Sequence, residues 1–122
     1  MVTKIISHRG RTSNESPDNT LQSIGDAIDF NIDMVEFDVR RTGDGQIVCF
    51  HDAEIGDKPL RSLSFFEVTE MNPLIPALEQ VLRSAKGKIQ VDIDLKETGY
   101  ENEVINILLD YFEYDDFIMK SF

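Results

Sequence analysis

Two stretches of the chain alternate apolar and polar residues with a period of two. Over residues 34–39, Val35, Phe37 and Val39 share one face of a strand, and Glu36 and Asp38 the other. Over residues 88–96, Ile89, Val91, Ile93 and Leu95 oppose Asp92, Asp94 and Lys96 in the same way. Elsewhere the period is that of a helix. Leu21, Ile24, Ala27 and Ile28 form one stripe, with Asn19 suited to capping it. Leu78, Val81, Leu82 and Ala85 form a second, which Pro76 can open and Gly87 can close. Tyr100, Val104, Ile107, Leu108 and Tyr111 form a third. Ser64 and Glu67 have capping-box spacing, so a short helical turn is expected there. Residues 4–7 and 117–122 read as further strands, and residues 11–18, rich in Ser, Asn and Pro, as a loop. The turn Thr42-Gly43-Asp44-Gly45 sends residues 46–50 back along the second strand as a hairpin arm.

This alternation of strands and helices predicts an α/β fold with a parallel sheet and right-handed crossovers, in one domain over residues 1–122. The apolar strand faces would bury against the helices. The opposite faces carry His8, Glu36, Asp38, Asp92, Asp94 and Lys96. A helix laid over them would have to bury four carboxylates, which is costly. A closed (β/α)8 barrel of the TIM type instead gathers such groups at the C-terminal rim of its strands. A full barrel takes about 250 residues, so this chain is expected to supply about the first four strands. Open edges at residues 4–7 and 117–122 would then invite pairing, and self-association is a further expectation.

Composition narrows the partners. With 41% hydrophobic and 29% charged residues the chain reads as globular rather than disordered. A net charge of −11 argues against nucleic acid or an anionic membrane as partner. No segment approaches the ~20 apolar residues of a membrane span, and residues 1–7 lack the features of a secretion signal. The single cysteine, Cys49, lies in an apolar run and reads as a core residue, which suits a reducing, cytoplasmic setting.

The chemistry concentrates where the two histidines stand, at His8-Arg9-Gly10 and His51-Asp52. Glu36 and Asp38, on one face of a strand, can converge on one hard cation through oxygen, as Mg²⁺ and Ca²⁺ prefer. A third carboxylate, Asp94 or Asp92, can come from the neighbouring strand. His51 ends the hairpin arm; counted back from Asp44 it returns to about the level of Phe37. Both imidazoles could flank the cation and transfer protons near neutral pH. Arg9 and Lys96 supply positive charge for a phosphoryl group that the carboxylates would otherwise repel.

These segments resemble the glycerophosphodiester phosphodiesterase family, whose barrel is shared by the phosphoinositide-specific phospholipases C. The resemblance runs in order through Ile6-Ser7-His8-Arg9-Gly10, Pro17-Asp18-Asn19-Thr20, Val35-Glu36-Phe37-Asp38-Val39, Thr42-Gly43-Asp44-Gly45 and His51-Asp52. It continues through residues 75–82, Ile93-Asp94-Leu95-Lys96 and Ser121-Phe122. It implies hydrolysis of a small-molecule glycerophosphodiester to glycerol 3-phosphate and an alcohol, with one divalent cation, Mg²⁺ or Ca²⁺. In that scheme His8 and His51 are the acid/base pair, and Glu36, Asp38 and Asp94 hold the metal. Arg9 and Lys96 contact phosphate, while Asp18, Asp52 and Asp92 stand behind these groups. Asp18 and Asp94 occupy places where the family usually has Glu, each one methylene shorter. Residues 53–71 are short beside the capping insertion of many members, which predicts an open site. Two other readings compete. A catalytically silent relative, or a fragment that binds metal or phosphodiester, would keep the fold without the turnover. The haloacid-dehalogenase phosphatases would use Asp92-Ile93-Asp94, but Lys96 fills the place of their Thr or Val.

Overall fold

The computed structural model describes residues 19–121 and the backbone of strand β1 (Ile6–Ser7). His8, Arg9 and Asp18, with the expected loop over residues 11–18, lie outside the described residues. Strand β2 (Met34–Arg41) is the centre of the sheet. On one edge it pairs in parallel with β6 (Gln90–Leu95), which pairs in turn with β7 (Phe117–Ser121). The other edge of β2 is shared: β1 pairs with its first two residues, and β3 (Ile47–Cys49) runs antiparallel to its last three. A separate two-stranded ribbon, β4 (Glu54–Ile55) and β5 (Lys58–Pro59), follows the hairpin. Its strands have only two residues each, too few to show a period in the sequence.

Helices α1 (Leu21–Asp29), α3 (Leu78–Ala85) and α4 (Glu101–Tyr111) cover one face of the sheet. Their expected stripes bury Ile24, Ala27, Leu78, Val81, Leu82, Ala85, Val104 and Leu108 against Val35, Phe37, Val39, Val91, Ile93 and Leu95. Cys49 belongs to this core, and burial pushes its thiol pKa up, as expected for an inert side chain. Phe117 and Met119 pack on the same core, so the alternation of β7 turns Ile118 and Lys120 to the opposite face. A smaller cluster of Val48, Ile55, Leu60, Leu63, Val68 and Ile75 fastens the hairpin and the short helix α2 (Phe65–Met71). Gly43 at the hairpin tip is required by close approach: a Cβ there would lie 2.7 Å from the Arg61 carbonyl oxygen. Among the described residues, no helix is long and apolar enough to cross a membrane.

Two helix starts differ from the expectation. Thr20, not Asn19, caps α1: its Oγ1 accepts from the Ser23 N–H at 3.2 Å, and Ser23 Oγ accepts from the Thr20 N–H at 3.1 Å. Asn19 takes a left-handed backbone, φ 58°, which Asn tolerates better than most residues. Pro76 lies ahead of α3, whose cap position is Ala77, because the Pro76 carbonyl accepts from the Cys49 N–H at 3.0 Å and ties the segment to β3. At α2 the capping box forms as the spacing predicts, with Ser64 Oγ accepting from the Glu67 N–H at 3.1 Å and Glu67 Oε1 from the Ser64 N–H at 3.0 Å. Ser64→Ala is therefore expected to lower stability by about 1 kcal/mol. Equal urea midpoints for the two proteins would contradict it.

Candidate metal and phosphate site

The side chains on the face opposite the helices are arranged by register. Glu36 on β2 lies beside Asp92 on β6, and Asp38 lies beside Asp94. Carboxylates paired across strands repel, and each pair is bridged by one lysine. Lys96 Nζ reaches Asp94 Oδ2 at 2.9 Å and Asp38 Oδ1 at 3.4 Å. Lys120 Nζ, from β7, reaches Glu36 Oε2 at 3.2 Å and Asp92 Oδ2 at 3.1 Å. The hydrogen bond to Asp94 leads in raising the Lys96 pKa, and that to Asp92 leads in raising the Lys120 pKa. Burial raises the Asp92 pKa against the pull of Lys120.

Asp38 is the most enclosed of these groups, with a side-chain exposure of 1%. Asn19 holds it from two directions. Its Nδ2 donates to Asp38 Oδ2 at 3.1 Å, and its Oδ1 accepts from the Asp38 N–H at 3.0 Å. Glu36, Asp38 and Asp94 each offer a carboxylate oxygen within 4.8 Å of the others. An all-oxygen donor set of three carboxylates suits a hard divalent cation, and the grouping is the one the resemblance implies. Asp92 shares their face but is held by Lys120.

The hairpin returns the chain as counted. The β2–β3 register pairs Val39 with Cys49, and the Phe50 N–H donates to the Asp38 carbonyl at 3.0 Å, so His51 comes to the level of Phe37. Its imidazole is partly exposed, and Nδ1 lies 2.8 Å from Asp52 Oδ1. Asp52 thus stands against His51 rather than against a carboxylate of the cluster. Arg40, which no sequence motif singles out, fixes the same segment. Its Nε donates to the His51 carbonyl at 2.9 Å and its Nη1 to Glu97 Oε2 at 3.3 Å, and Glu97 also accepts from the Tyr100 hydroxyl. The backbone of His51 is therefore anchored to β2 and to the end of β6. The roles expected of His8, Arg9 and Asp18 fall outside the described residues.

Parallel strands that deliver polar side chains to one face, with helices on the other, are the arrangement found in α/β barrels. The chain belongs to the glycerophosphoryl diester phosphodiesterase family, which matches residues 8–111. YhdW of Bacillus subtilis (strain 168), named provisionally as a glycerophosphodiester phosphodiesterase, is 34% identical over 139 residues, 97% of this chain and 56% of YhdW. A glycerophosphodiester phosphodiesterase of Caldanaerobacter subterraneus subsp. tengcongensis is 26% identical over 144 residues, 100% of this chain and 59% of its own. The crystal structure of a glycerophosphodiester phosphodiesterase from Thermotoga maritima superposes with a TM-score of 0.87 at 28% identity, covering 100% of this chain and 55% of that one. These neighbours are TIM barrels, and the sheet seen here is about half of one, as the element order predicts. The chain spans somewhat more than half the length of the curated relatives it matches.

Proposed function

We propose that the protein hydrolyses glycerophosphodiesters to glycerol 3-phosphate and an alcohol. The observation that carries this is the convergence of Glu36, Asp38 and Asp94 beside Lys96, in a chain of this family. The three carboxylates would hold one divalent cation, Mg²⁺ or Ca²⁺, which when bound supplies positive charge to the phosphoryl oxygens. Lys96, just past the end of β6, reaches Asp94 of that strand and Asp38 of β2, and with Arg9 it binds the phosphate. His51, oriented by Asp52 through Nδ1 and by Arg40 through its carbonyl, keeps Nε2 for proton transfer, with His8 as its counterpart. Asp18 supports the same site. The edge strands β1 and β7 offer backbone groups to further strands or to a second copy of the chain. A small anionic diester, rather than nucleic acid, is the partner, and the free, buried Cys49 suits the cytoplasm.

Release of glycerol 3-phosphate from glycerophosphocholine, with and without a chelator, tests the reading. Turnover lost on chelation and restored by Mg²⁺ or Ca²⁺ supports it; turnover indifferent to the chelator, or none in a folded protein that includes all barrel strands, contradicts it. In that protein His51→Ala and His8→Ala are each expected to lower kcat by at least ~10²-fold. Near-normal kcat in either variant would remove that histidine from the chemistry.

A further inference from the structure

The cation site described above uses Glu36, Asp38 and Asp94 and gives Asp92 and Lys120 no part. Yet Lys120 reaches one of those three carboxylates directly, Glu36, as Lys96 reaches the other two. It stands in register with Asp94 across β6 and β7, and its ammonium spans Glu36 and Asp92, neighbours across β2 and β6. The Asp92 side chain is 7% exposed, and its Oδ1 is buried with no hydrogen-bond partner among the described residues. A nearby cation stabilises a carboxylate in that position. The two lysines differ in one respect: the Lys96 side chain is 17% exposed, that of Lys120 52%.

We propose that Lys120 is a built-in cation that competes with the divalent ion for Glu36. It holds the Glu36–Asp92 pair in the metal-free protein and confines a bound ion to the Glu36, Asp38 and Asp94 side. The inference rests on the reading of those three residues as the metal site. An ion entering there needs Glu36, which Lys120 grips through Oε2. Lys120 can yield because its side chain is half-exposed and its flexible stem lets the ammonium turn toward water. Asp92 then keeps it close, so that its charge continues to oppose a second ion.

Calorimetric titration of the 122-residue chain with Ca²⁺ alone tests this. Lys120→Met removes the competing charge a few ångströms from the ion, and Ca²⁺ affinity is expected to rise by about fivefold or more. Adding Asp92→Asn restores the cluster's original net charge and should return the affinity to that of the parent. Lys120→Arg, which keeps the charge, should leave it unchanged; a purely structural role for the lysine would predict no such pattern. Unchanged or weaker binding in Lys120→Met, in a protein whose circular dichroism and melting are those of the parent, overturns the proposal and leaves the metal site standing. Should Lys120→Met fail to fold, Lys120→Gln is read by the same criterion. A folded parent chain that binds no Ca²⁺ overturns both this proposal and the metal site.

Discussion

Asp38→Asn is expected to weaken divalent-cation binding at least about a hundredfold, since loss of even a residue behind a metal ligand typically costs about 10–100-fold. Asp38 is nearly inaccessible, accepts from Asn19 through Oδ2 and faces Lys96 through Oδ1. The substitution keeps the shape and removes the charge, so Lys96 faces an amide at position 38 while keeping Asp94, and the cluster has one anionic donor fewer. Asp94→Asn should act in the same direction, and Asp92→Asn much less, because Asp92 is engaged by Lys120. Calorimetry on the three variants separates them. A larger loss in Asp92→Asn than in Asp94→Asn would show that the ion uses a different carboxylate pair.

The second large effect concerns folding. Among the described residues Phe37 is the largest wholly buried side chain, and it projects from the central strand, between Glu36 and Asp38, into the helix-covered face. Phe37→Ala is expected to cost about 3–5 kcal/mol through lost burial and the cavity left behind. That is a large share of the roughly 5–15 kcal/mol that holds a typical domain together. Urea unfolding followed by circular dichroism measures it. A loss below about 1 kcal/mol, the scale of a well-repacked swap, would mean that β2 is not the centre of the core.

The strands β2 and β6 were legible because strict alternation forces one face apolar and the other charged, and that second face is the site. Helices α3 and α4 were legible from their stripes, although the start of α3 was not. Pro76 prefers a first helical position, but its carbonyl is engaged by Cys49 across the sheet, a contact that no local pattern encodes. Thr20 rather than Asn19 caps α1 for a related reason. Asn and Thr are both good caps, and Ser23 is not the Glu or Gln that marks a capping box, so nothing local favoured Thr20. What decides it is Asp38, nineteen positions away, which takes both ends of the Asn19 amide. From the sequence Lys120 is only part of a terminal strand. Its significance depends on the β6–β7 register, which sets it beside Asp94. The parity of Phe117, Met119 and Ser121 against Ile118 and Lys120 was visible in the sequence and would have turned it toward the carboxylates.

The central claim is that Glu36, Asp38 and Asp94 hold one divalent cation at the face of the sheet opposite the helices. A crystal structure of the protein grown with Ca²⁺ tests it most directly. The expected result is a single ion with an oxygen of each of the three carboxylates at about 2.3–2.6 Å, and with Lys120 withdrawn from Glu36 but still beside Asp92. An ion bound elsewhere, or three carboxylates still held by Lys96 and Lys120 in the presence of excess Ca²⁺, would contradict it.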